Sequence, residues 1–113
     1  MRQLLIATLS AAFIFALPAL AAITDDQAYE IASKALNTDN AELDQESDRT
    51  YFFVDAGFDE DAERPCINGV MIDKATGNVV TPDEQNDPKI NVFFEYSDTH
   101  IERDTKIIVN CAD

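Results

Sequence analysis

The chain has 113 residues, 22 of them acidic and 8 basic, for a net charge of −14. Nucleic acid and anionic membrane repel such a surface, which makes both poor partners. With two cysteines, one histidine and three glycines, it also lacks the material for a Cys/His zinc cluster or a Gly-rich phosphate loop.

The N-terminal stretch has the pattern of a leader. Arg2 is the only charge before Asp25, Leu4 to Leu17 is uncharged, and Pro18 precedes Ala19-Leu20-Ala21-Ala22. A basic start, a short apolar run and a small-residue ending predict a signal peptide over residues 1–22, cleaved after Ala21 or Ala22. The run is shorter than the roughly 20 apolar residues of a membrane span. A periplasmic or secreted protein is expected, free of the membrane after cleavage. Residues 23–113 then form one domain with one modest core. Losing Arg2 leaves 22 acidic residues against 7 basic ones, a net of −15.

Thr24 and Gln27 have the spacing of a capping box, and Asp25 and Asp26 suit the positive end of a helix. Ala28, Ile31, Ala32, Ala35 and Leu36 recur at helical spacing on one face. Asn37 is a plausible stop. The predicted helix carries an apolar stripe meant to lie across a sheet. Residues 38–49 are polar, with Asp39, Glu42, Asp44, Glu46 and Asp48, and read as a loop in which Leu43 alone could dock on the core.

Thr50 to Gly57 is the first predicted strand, with aromatics on both faces, which suits a central position. Phe58 to Pro65 is an acidic connection containing Asp59, Glu60, Asp61 and Glu63. The acids are nearly consecutive and lack the glycine of an EF-hand loop, so a solvated loop is expected, with Phe58, Asp59, Glu60, Asp61 and Glu63 as candidate partner-binding residues. Cys66 to Val80 reads as a hairpin. Gly69 permits close approach to the backbone, Gly77 suits the left-handed turn position, and Asp73 can bond the turn amides. Thr81 to Lys89 reads as a loop. Ile90 to Ser97 alternates strictly and predicts a strand, and Ile101 to Cys111 predicts a last one, with Ile101, Thr105, Ile107, Val109 and Cys111 on its apolar face.

One helix followed by about five short strands predicts an α+β fold, the helix packed across an antiparallel sheet. Two cysteines in an exported chain predict a Cys66–Cys111 disulfide. Period-two counting points both thiols at the core. A bridge closing a loop of about 45 residues is worth about 4 kcal/mol.

No catalytic constellation stands out. His100 sits in a polar turn, Ser97 beside it lacks a third partner, and both cysteines are committed to the bridge. The expectation is a non-enzyme with no metal and no cofactor.

Two segments resemble the PepSY family of small exported bacterial domains. Ile23-Thr24-Asp25-Asp26-Gln27-Ala28-Tyr29-Glu30-Ile31-Ala32 is similar to its opening helix, and Val70-Met71-Ile72-Asp73-Lys74-Ala75-Thr76-Gly77-Asn78-Val79 to its closing hairpin. Secreted immunity proteins with a helix on a curved sheet show a similar turn. The PepSY resemblance spans residues 23–80, leaving Cys111 and everything from Ile90 outside it. It implies a non-catalytic module that binds or inhibits, often linked to proteases. The expected function is a monomeric exported binding module, acting on a basic protein such as a periplasmic or secreted hydrolase. The alternatives are an immunity protein for a basic toxin and an acidic cation-binding protein.

Overall fold

The computed structural model describes residues 22–96 and 100–112. The expected signal peptide, apart from Ala22, lies outside the described residues, as do Ser97, Asp98 and Thr99. The elements are helix α1 (Asp25–Leu36) and strands β1 (Ala41–Glu46), β2 (Thr50–Asp55), β3 (Cys66–Asp73), β4 (Val79–Val80) and β5 (Ile108–Cys111). The fold is α+β, with α1 across one face of a five-stranded antiparallel sheet.

Helix α1 starts where the capping chemistry places it. The Gln27 amide donates to Thr24 Oγ1 at 3.1 Å, and the Thr24 amide to Gln27 Oε1 at 2.8 Å. It ends at Asn37, whose φ of 54° turns the chain left-handed. The Thr38 amide then closes back on the Ser33 carbonyl at 3.1 Å, so the last turn keeps its bonds.

The sheet runs β1-β2-β3, and β4 and β5 share the far edge of β3 end to end. Strand β2 is central, as aromatics on both faces suggested. Tyr51 and Phe53 pack under Ala28, Ala32 and Leu36 of the helix, together with Val70 and Ile72. Phe52 faces the opposite side, in a second core with Met71, Ile90, Phe93 and Ile108. The sheet is therefore covered on both sides, by the helix and by an irregular strap of residues 90–96.

The strand count matches the expectation but the membership differs. Residues 38–49 are not simply a loop, because β1 lies within them as the edge partner of β2. Ile90 to Tyr96 is not a strand. It is coil ending in a 3-10 turn, Phe94–Tyr96. With β4 and β5 on the outer edge of β3, the segment finds no free edge there and crosses the face, burying Ile90 and Phe93 at i, i+3. Only Ile108–Cys111 of the expected last strand is extended, and its faces are reversed: Ile108 and Asn110 are buried while Val109 is 47% exposed. The strap covers the side of the sheet that Ile108 faces, which sets this polarity.

The Cys66–Cys111 disulfide is present. The two residues face each other at the end of the β3·β5 ladder. Cys66 shares the face of Val70 and Ile72, as parity counting suggested, but the pair lies at the end of the ladder, outside the core cluster beneath α1, so Cys66 is exposed and Cys111 half-buried.

The hairpin turn has Gly77 at φ 78°, as expected. The Asp73 carboxylate accepts from the Thr76 hydroxyl at 2.8 Å rather than from the turn amides, and Thr76 Oγ1 accepts the Asn78 amide at 3.1 Å.

Candidate binding groove

Gly69 decides where the strap lies. A Cβ at this position would stand 2.8 Å from Phe93 Cζ and 3.0 Å from Phe52 Cε1, so only glycine lets the Phe93 ring rest on the sheet. Phe93 meets Phe52 edge to face, with centroids 5.3 Å apart. Its backbone is left-handed, at φ 51°. That conformation costs a bulky residue about 1–3 kcal/mol, offset here by burying the ring. Asn110 Nδ2 donates to the Phe93 carbonyl at 3.3 Å, fixing the strained peptide to β5.

A bulge in β1 ties down the strap's start. The register with β2 slips between Leu43 and Gln45, leaving Asp44 as the extra residue. Glu42 pairs with Val54 on the strap side, where Asp44 also lies, and the bulge brings Gln45, opposite Phe52, to that side as well. Gln45 Nε2 donates to the Asn91 carbonyl at 2.6 Å, and the Asn91 amide donates to Gln45 Oε1 at 2.7 Å.

Asp87 anchors the approach to the strap. Buried, it accepts from Ser47 Oγ, from Thr50 Oγ1 at 2.8 Å and from the Lys89 amide at 3.0 Å. The Ser47 hydrogen bond leads in holding its carboxyl below the usual value, against the effect of burial.

These anchors leave a groove of about 250 Å³ between β1, the β2–β3 connection and the strap. Its apolar lining comes from Val54, Ala56, Phe58, Ile67 and Phe93. Glu42, Asp44, Glu60 and Glu95 bring four carboxylates to the same groove from three separate segments. A depression where apolar surface meets charged groups from several segments is a candidate binding site.

Of the residues singled out by sequence, Phe58 and Glu60 line this groove. Asp59, Asp61 and Glu63 stand exposed beside it without lining it. Asp59 Oδ1 accepts the Asp61 amide at 3.0 Å, so part of the acidic loop serves its own turn. Glu42, Asp44 and Glu95 were missed, since β1 read as a loop and the strap as a strand. Among the described residues, no group of three or more His, Cys, Asp or Glu could hold a metal ion, and no helix is long and apolar enough to cross a membrane.

No family model, curated protein or solved structure matches the chain. The groove must therefore be read from its own chemistry. On the opposite face, a smaller polar contact joins the helix to the sheet. Tyr51 donates to Asp25 Oδ1 at 2.7 Å, and this bond, with burial, pushes the phenol up to about 12. Lys74 Nζ stands 4.7 Å from the centroid of the Tyr51 ring and pairs with Glu46. This cluster buttresses the fold and lies on the helix side of the sheet, away from the groove.

Proposed function

We propose that the chain is an exported, non-catalytic binding module of PepSY-like character that docks a basic protein through the acid-rimmed groove, as an inhibitor of a periplasmic or secreted hydrolase. The observation that carries this reading is the meeting of four carboxylates with an apolar lining at one depression. Aromatic anchors inside a charged rim concentrate binding energy, and Phe58 supplies such an anchor. Asp59, Asp61 and Glu63 add negative potential beside it, which speeds encounter with a basic target. Both thiols are held in the bridge, and His100 stands exposed 3.6 Å from Glu102, which favours binding over nucleophilic chemistry. An immunity protein that neutralises a basic toxin would use the same groove, and the net charge favours it equally.

The test is capture from a cell-envelope extract with the mature, oxidised chain as bait at low and high salt. A single stoichiometric basic partner, lost at high salt, is the expected result. No partner at either salt overturns the reading.

A further inference from the structure

The described cations leave the groove unpaired. Among the described residues the ion pairs are Lys74–Glu46, Lys89–Asp48, His100–Glu102 and Arg103–Asp83. None includes Glu42, Asp44, Glu60 or Glu95. Arg64, in the connection that borders the groove, donates instead to the Ala112 carbonyl at 3.1 Å. Carboxylates set around Val54, Phe58, Ile67 and Phe93 thus line one groove with no counter-ion among the described residues. Asp44 Oδ2 accepts only the neutral Gln45 amide, at 3.1 Å.

We propose that the groove receives one arginine side chain of the partner, with the aliphatic stem on the apolar lining and the guanidinium among the four carboxylates. This rests on the basic-partner reading above. The volume of about 250 Å³ lies below the range of about 300–1,000 Å³ typical of small-molecule sites, which suits a single long side chain rather than a helix or loop. An arginine stem buries well on apolar surface while its head stays at the rim. The guanidinium offers five N–H donors in a planar fork, which suits carboxylates arriving from different segments. It also stacks on the half-buried ring of Phe58 better than a compact, strongly hydrated ammonium does.

The experiment is an amide-resolved NMR titration of the mature, oxidised chain with the peptide acetyl-Ala-Arg-Leu-amide, against the same peptide carrying uncharged citrulline. Ala56→Trp fills the groove at an exposed position, and an unchanged melting temperature shows that this variant folds. The expected result is shifts confined to Glu42, Asp44, Phe58, Glu60, Phe93 and Glu95, binding about tenfold weaker for citrulline, and loss of both in Ala56→Trp. Shifts spread over the acidic surface, equal binding of citrulline, undiminished binding to Ala56→Trp, or no binding of the arginine peptide would each overturn the assignment. The two readings fail separately. If the wild-type chain captures the partner and Ala56→Trp does not, yet the citrulline peptide binds as well as the arginine peptide, the arginine site falls and the groove-docking reading stands. If neither captures anything, the basic-partner reading falls, and the titration alone decides the groove.

Discussion

The side-chain amide of Gln45 bonds both the carbonyl and the amide of Asn91, at 2.6 and 2.7 Å. It gives the strap a two-bond attachment of the kind a neighbouring strand would supply, but from across the sheet face. The bulge at Asp44 makes this possible, because unbroken alternation would place Gln45 on the helix side.

Gln45→Ala should therefore loosen the strap without opening the sheet. Losing two bonds to backbone groups should cost about 1–3 kcal/mol. Hydrogen exchange at Asn91 should accelerate well beyond exchange in β2 and β3. Equal acceleration throughout would mean that the strap and sheet open together.

Gly69→Ala tests the seat of Phe93. The added Cβ would crowd two aromatic rings and stand 3.1 Å from the Phe53 carbonyl oxygen. Overpacking of this kind costs about 1–3 kcal/mol. Chemical denaturation should show that loss, and Phe93→Leu in the same chain should recover part of it by removing the ring that clashes.

Asp87 gives the protein an acid-sensitive anchor. Its carboxyl titrates below the ordinary 3.8 in the folded state. The stability it contributes is present above pH 3.8 and is lost as pH falls through the lower folded value. Asp87→Asn should be less stable than wild type at pH 7, by about 1–3 kcal/mol, with the gap closing in strong acid. Urea unfolding at both pH values checks this.

Tyr51 sets the alkaline side. Its phenol is raised from 10.0 to about 12, first by the hydrogen bond to Asp25 and then by burial. A raised folded value means that its contribution is complete below pH 10 and is lost as pH rises toward 12. Tyr51→Phe should be less stable at neutral pH and should lose less stability over that alkaline interval. An absorbance titration of the wild type should show one tyrosine ionising near 12.

The disulfide closes the ladder that carries Asn110. Replacing Cys66 and Cys111 together by serine should cost about 4 kcal/mol. It should also release β5 first, because β5 pairs with β3 alone. Calorimetry and hydrogen exchange at Val109 and Asn110 measure the two effects.

Helix α1, the Gly77 turn and the Cys66–Cys111 pairing were legible because each rests on local chemistry or simple counting. The capping box needs only Thr24 and Gln27, and a left-handed turn position asks for Gly77. Strand β1 was not legible. Ala41 is its one buried residue, since an exposed edge strand has little apolar face to show, and charge there discourages pairing with other chains. The strap misled in the opposite sense. Ile90, Val92, Phe94 and Tyr96 alternate as a strand should, yet Phe93 is the residue that packs, and Phe94 is 49% exposed. Occupation of the β3 edge by β4 and β5 settled this, and no local window contains that information. Half of the groove's rim, Glu42 and Asp44, was hidden with β1. Glu95 was hidden with the strap, while Phe58 and Glu60 were visible as part of an acidic loop.

The central claim is that the groove, and not net charge alone, holds the partner. The most direct measurement compares two double variants with the same change in charge, Glu42→Lys/Glu60→Lys at the groove and Asp61→Lys/Glu63→Lys on the exposed loop. Both should keep the wild-type melting temperature. In envelope capture at low salt, the groove variant should lose the partner, while the loop variant should retain it and associate more slowly. Equal losses from the two variants, or retention by the groove variant alone, would contradict the account.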